Sequence, residues 1–184
     1  MMHKTDMRQD IESILLSAEE LKAGIEKLGK TLTEDYRGKE PVVVGILRGV
    51  VPFYATLTQN MDVPMVQDFM SISSYHGTQT TGEIRFKKDL DVSIQGRHVL
   101  ILEDIVDSGL TLKKVVEELK IRNPASIKVC TLLDKPSGRK VEFQPDYCCF
   151  TIPDGFVVGF GLDYNDHYRN LPYVGILKKE VYSD

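Results

Sequence analysis

VLILEDIVDSGLTL, residues 99–112, is the stretch that decides the fold. Val99 to Leu102 form a continuous apolar run, the pattern of a strand buried on both faces. Glu103 and Asp104 follow directly, then Asp107, then Ser108, Gly109, Leu110 and Thr111. A buried strand gains nothing from three carboxylates at its end. In open α/β sheets, however, ligands sit beyond the carboxyl ends of the strands. Ser108 and Thr111 supply hydroxyls there, and Gly109 lets the backbone approach a ligand closely. The residues after Gly109 predict a helix, and amides at a helix N-terminus favour an anion such as phosphate. The carboxylates would repel a bare phosphate. They make sense if they hold ribose hydroxyls or hydrated Mg²⁺. A helix-capping role accounts for Asp107 or Ser108, but not for Glu103 and Asp104.

Working outward, the same strand-then-helix pattern recurs. PVVVGIL (41–47) predicts a second buried strand, and VPFYATLTQN after it a short helix. PMVQDFMSI (64–72), RHVLILED (97–104) and SIKVCTLLD (126–134) predict strands, and TLKKVVEELKIRN (111–123) a helix with Val115, Val116 and Leu119 on one side. Ile11, Ile14, Leu15, Ala18, Leu21, Ile25 and Leu28 fall at helical spacing, so 10–30 reads as an amphipathic helix. SSYHGTQTTGEIRF (73–86) is polar, contains Gly and is long for a connection; it reads as a mobile excursion ending in a short strand. YCCF, FVVGF and YVGIL are three short apolar runs in the tail. Strands alternating with helices predict an α/β fold, a central, mostly parallel sheet flanked by helices with right-handed crossovers.

Composition narrows the class. The 184 residues suit one domain, 1–184, with 42% hydrophobic and 27% charged residues. The net charge of −4 and pI of about 5.6 give no footprint for nucleic acid. No apolar run approaches the roughly 20 residues of a membrane helix, and the N-terminus has no cleavable apolar core. Cys130, Cys148 and Cys149 make an odd count without C-x-x-C spacing, and all three read as buried thiols in a reducing cytoplasm.

VLILEDIVDSGLTL resembles the phosphoribosyl diphosphate (PRPP) motif of the type I phosphoribosyltransferases. GILRGV, SSYHGTQTTGEIRF, LLDK and PDGFVVGFGLDYNDHYRNLPYVGIL resemble segments of the family's 6-oxopurine branch, in matching order over roughly residues 10–180. The resemblance implies the type I fold with a small hood from the N- and C-terminal segments and a flexible lid at about 73–86. It implies purine salvage: transfer of the phosphoribosyl group from PRPP to hypoxanthine or guanine, with Mg²⁺ as cofactor. It also implies a cytoplasmic homodimer or homotetramer with small-molecule substrates, and no nucleic-acid or membrane partner.

Roles follow the resemblance residue by residue. Asp107 matches the general base. Ser108, Gly109, Leu110 and Thr111 would hold the 5′-phosphate, with Leu110 where many relatives carry Lys. Glu103 and Asp104 would face the ribose hydroxyls and Mg²⁺. Lys135 would donate to the 6-oxo group, Phe156 stack on the purine, and Val157 offer backbone groups to its edge. Asp163 would also meet the purine edge through its backbone, and a second Mg²⁺ partly through water. Arg48 and Gly49 form a pyrophosphate loop, whose preceding peptide is cis in relatives, and Arg169 would reach the same group. Ser74 and Tyr75 match the lid tip. Alternatives remain open: a xanthine-preferring transferase, a non-catalytic PRPP-sensing regulator, and a phosphoacceptor signalling domain. Against the last, such domains draw their carboxylates from different strands.

Overall fold

The computed structural model describes residues 6–74 and 84–183. The elements in chain order are β1 (Ile11–Leu16), α1 (Ala18–Tyr36), β2 (Val42–Leu47), α2 (Val51–Gln59), β3 (Val66–Ser74), β4 (Ile84–Lys88) and β5 (His98–Val106). They continue with α3 (Leu110–Lys120), β6 (Ser126–Asp134), β7 (Tyr147–Thr151), β8 (Val157–Val158), β9 (Val174–Leu177) and α4 (Lys179–Tyr182).

Six strands form the central sheet in the order β4-β3-β2-β5-β6-β7, with every neighbouring pair parallel except β3 and β4. The α/β class and the mostly parallel sheet are those the sequence predicts. The alternation along β2 and β5 divides the core between the two faces. Val43, Leu100 and Leu102 pack with Leu21, Ile25 and Leu32 of α1 and Phe53 and Leu57 of α2. Val42, Val44, Val99 and Ile101 pack with Leu112, Val115 and Leu119 of α3. Both faces are covered, so these strands are near-continuous apolar runs. Among the described residues no helix is long and apolar enough to cross a membrane.

The N-terminal segment differs from its reading as helix from residue 10. Ile11–Leu16 is a strand paired antiparallel with β9, and β8 completes this second sheet, in the order β1-β9-β8. Register shifts between Ile11 and Ser13 and between Ile14 and Leu16 interrupt the two-residue alternation. The apolar spacing therefore imitates a helical one. The helix starts where a capping box allows it: Glu20 N donates to Ser17 Oγ at 3.2 Å and Ser17 N to Glu20 Oε2 at 2.8 Å. The cysteines differ too. Cys130 is buried, but Cys149 is only partly covered and Cys148 is exposed, because β7 is the outermost strand of the sheet.

Candidate active site

Strand order places the site. From β2 the chain moves outward to β3 and β4, then returns to add β5, β6 and β7 on the other side. The order reverses between β2 and β5, the switch point where ligands bind in such sheets. The β2–β5 pairing ends at Gly45 and Leu102, whereas β5 stays paired with β6 as far as Val106 and Asp134. Glu103 and Asp104 thus lie within the strand, not beyond it, and stand where β5 has lost its β2 neighbour.

The two carboxylates crowd each other. Burial, and next the neighbouring Asp104, raise Glu103 well above the usual carboxylate range. Burial also raises Asp104, against the pull of hydrogen bonds from its surroundings and the nearby Arg169. Adjacent desolvated carboxylates suit a cation or hydroxyl donors. They fit Mg²⁺ in one specific sense. Both are hard oxygen donors, the type Mg²⁺ takes alongside substrate oxygens and water.

Gly49 follows β2 and faces this pair: a Cβ there would stand 1.7 Å from Asp104 Oδ2. The Leu47–Arg48 peptide is cis. Gly161, at φ +102°, packs on Gly49, where a side chain would strike the Gly49 carbonyl. Arg169 reaches the same corner, donating to Gly161 O at 2.8 Å and pairing with Asp163 at 2.7 Å. Asp163 also accepts from Asp166 N at 2.9 Å, and Asp166 pairs with Arg48 at 2.7 Å.

Past Val106, Gly109 turns the chain with φ +76° into α3; as the N-cap it offers no side chain, and Leu110 N donates instead to Ser108 Oγ at 3.4 Å. A cavity of about 290 Å³ opens here, lined by Glu103, Ile105, Asp107, Ser108, Gly109 and Thr111 among others. A second, of about 280 Å³, is lined by Asp104, Ile105, Asp107, Lys135, Gly155, Phe156, Val157, Leu162 and Asp163. Ile105 and Asp107 belong to both. Lys135 Nζ lies 3.0 Å from Asp107 Oδ2, its side chain only 14% exposed. Phe156 is held by the stacked ring of Tyr182 at 4.8 Å and the edge-on ring of Tyr164 at 5.5 Å.

Every residue singled out in the sequence lies around these two cavities or the arginine corner, except three. Leu110 opens α3 with an exposed side chain. Ser74 ends β3, and Tyr75 lies outside the described residues, as does most of the 73–86 excursion. Sequence reasoning missed Arg139, Gly138 and Asp166. Arg139 donates to the carbonyls of Val106 and Asp107, and a Cβ on Gly138 would strike Asp107. The turn residues Pro136-Ser137-Gly138 predict a bend but say nothing of what it packs against.

Comparison with known proteins agrees with this geometry. Residues 13–165 match the phosphoribosyl transferase domain family. A hypoxanthine-guanine phosphoribosyltransferase of Streptococcus pneumoniae is 53% identical over 179 residues, 97% of this chain and 99% of the relative. The crystal structure of a Staphylococcus aureus hypoxanthine phosphoribosyltransferase superposes with a TM-score of 0.94 at 47% identity, covering 100% of both chains. The Trypanosoma cruzi enzyme in complex with the product IMP superposes at 0.89 with 40% identity, over 95% of this chain and 98% of that one.

Proposed function

The chain belongs to the phosphoribosyltransferase family, and from that premise we propose how its own residues carry the reaction. It is a purine-salvage enzyme that moves the 5-phosphoribosyl group of PRPP onto hypoxanthine or guanine, giving IMP or GMP and pyrophosphate. One observation carries the residue assignment: Lys135 Nζ and Asp107 Oδ2 stand 3.0 Å apart in the cavity that holds Phe156. They form a donor and an acceptor side by side. A 6-oxopurine has the complementary pair on one edge, the 6-oxo acceptor beside ring nitrogen 7 and its proton. Lys135 turns to the oxygen, Asp107 takes the proton, and nitrogen 9 attacks the sugar. A positioned general base is worth roughly 10²–10⁴-fold.

Asp107 lines both cavities, so the base lies between the purine and the ribose phosphate. The amides and hydroxyls of Ser108, Gly109, Leu110 and Thr111 hold the 5′-phosphate at the start of α3. Phe156 stacks on the purine and Val157 meets its edge. Arg48, Gly49 and Arg169 receive pyrophosphate. Glu103 and Asp104 would hold Mg²⁺ together with ribose hydroxyls, and Asp163 a second ion. Bound there, the cation supplies charge neutralisation for the departing pyrophosphate. The transition state is cationic at the sugar, so positioning and electrostatics dominate over covalent chemistry. We place the enzyme in the cytoplasm, consistent with three free cysteines, and expect a homodimer or homotetramer.

The test is nucleotide formation from PRPP with four bases. A Lys ammonium has only donors, and adenine presents an amino donor at position 6. Unpaired buried donors reject such a base by on the order of 10⁴-fold. Hypoxanthine and guanine should react, xanthine more poorly than either, and adenine essentially not at all. Adenine competing well with hypoxanthine would overturn the Lys135 assignment.

A further inference from the structure

The loop that carries Asp107 is gripped from behind. Three successive carbonyls, those of Val106, Asp107 and Ser108, all accept hydrogen bonds from residues 135–140. Lys135 N donates to Val106 O at 3.0 Å and Lys140 N to Ser108 O at 3.0 Å. Arg139 fills the middle: its Nη1 donates to Val106 O at 3.0 Å and to Asp107 O at 2.5 Å. Its Nη2 pairs with the Asp134 carboxylate, and both side chains are largely buried, at 16% and 12% exposed. The Arg139 stem also lies against Gly109, where a Cβ would stand 3.2 Å from Arg139 Cδ.

The geometry of the peptide unit gives this grip a consequence. In a trans peptide the N–H points opposite to the C=O of the same unit. Carbonyls of 106–108 held toward Arg139 and its neighbours turn the amides of Asp107, Ser108 and Gly109 to the other side, away from the grip. That side bears the phosphate cavity. We infer that Arg139 is a positioning residue for phosphoribosyl transfer: through two carbonyls it aims the phosphate-loop amides and fixes the backbone from which Asp107 reaches the purine. It touches neither cavity. Arg139 and Asp134 line a third one, of about 580 Å³, with Pro136, Val141, Glu142, Phe143 and Gln144, which shares no residue with the other two. The planar fork of the guanidinium is what lets one side chain serve a carboxylate and two carbonyls; a Lys ammonium lacks that fork.

The inference rests on the proposed reaction, and its test separates the two. The unmodified enzyme is first assayed with PRPP and hypoxanthine; absence of IMP there sinks the reaction itself. Arg139→Ala and Arg139→Lys are then compared in kcat, KM for PRPP, single-turnover rate and thermal melting. Both should raise KM for PRPP and slow the single turnover, lowering kcat/KM about tenfold or more in protein that is still folded. Millimolar methylguanidinium, which can enter through the third cavity, should restore part of the Arg139→Ala rate but none of the Asp107→Asn rate. Should Arg139→Ala fail to fold, Arg139→Lys carries the test, because it keeps a cation beside Asp134. Folded Arg139→Lys enzyme with KM for PRPP and single-turnover rate within twofold of the original would overturn the inference. So would variants that lose only melting temperature, for that is what a purely structural role predicts.

Discussion

Gly138→Ala separates the position of Asp107 from its identity. A Cβ added at Gly138 would stand 1.5 Å from Asp107 Oδ1 and 2.8 Å from its Cγ, with Lys135 Cε at 3.3 Å. Real Cβ contacts stay beyond 3.0 Å, so the carboxylate must retreat by about 1.5 Å. The backbone has no objection: Gly138 does not adopt a positive φ, and alanine at a compatible position stabilises by about 0.4–1 kcal/mol. The Asp107 side chain is 49% exposed and can swing outward at little expense. Melting temperature should therefore hold or rise slightly. Misplacing a reacting group by 1 Å can cost roughly 10²-fold, so the chemical step should slow by about that factor. Rapid-quench single turnover with saturating PRPP and hypoxanthine reads it directly. The same substitution added to Asp107→Asn should slow the reaction little further, since both act on one group. A single-turnover rate for Gly138→Ala within threefold of the original would refute the claim that Asp107 works from this position.

Gly49→Ala should act on the other substrate end. Its Cβ would meet Asp104 Oδ2 at 1.7 Å and the Gly161 carbonyl at 3.2 Å, so KM for PRPP should rise about tenfold or more with hypoxanthine affinity little changed; calorimetric titration of PRPP into the variant checks this. Activity should vanish in excess chelator and return with Mg²⁺ or Mn²⁺, while circular dichroism melting stays unchanged; full turnover in chelator would dismiss the metal. Iodoacetamide at pH 8 should label Cys148 first. Burial pushes Cys149 up to about 12 and Cys130 well up, and the thiolate is the reactive form, so labelling of those two should lag and quicken as pH rises. Peptide mass spectrometry showing Cys149 modified first would contradict the assignment.

What the sequence made legible was whatever local pattern controls. The strand Ser126–Asp134 has the bounds its apolar run suggests, because β6 lies between β5 and β7 and is buried from Val129 to Asp134. The Glu103-Asp104 pair was legible as a charge that a buried strand would not otherwise carry. The bulged strand Ile11–Leu16 was not, since two register shifts erase the alternation that marks a strand. Cys148 was misread because composition cannot show that β7 is an edge. Arg139 was invisible for a deeper reason. Its partners are backbone carbonyls about thirty residues earlier, and a carbonyl leaves no trace in side-chain identity.

The ion pairs around the site bear on how an acidic chain would receive a polyanion. Each cationic anchor already holds a carboxylate: Lys135 with Asp107, Arg169 with Asp163, and Arg48 with Asp166. These pairs keep three cations in place beside the cavities without a standing positive field. Their exchange for substrate need not be expensive. Arg48 and Asp166 are 69% and 65% exposed, and exposed pairs are worth at most about 1 kcal/mol. A pyrophosphate carries more charge than one aspartate, so in the proposed complex it would displace Asp166 readily. Lys135 is far less exposed, and its release from Asp107 requires an acceptor of matching position. In the proposed reaction the 6-oxo group would be that acceptor, and as Lys135 turned to it, Asp107 would be left facing the ring proton without its cation. On that proposal, arrival of the correct purine would free the base, whereas adenine, bringing a donor to Lys135, would leave the pair intact. Selectivity and activation then come from the same 3.0 Å contact, and Lys135→Ala should relax the first while slowing the second.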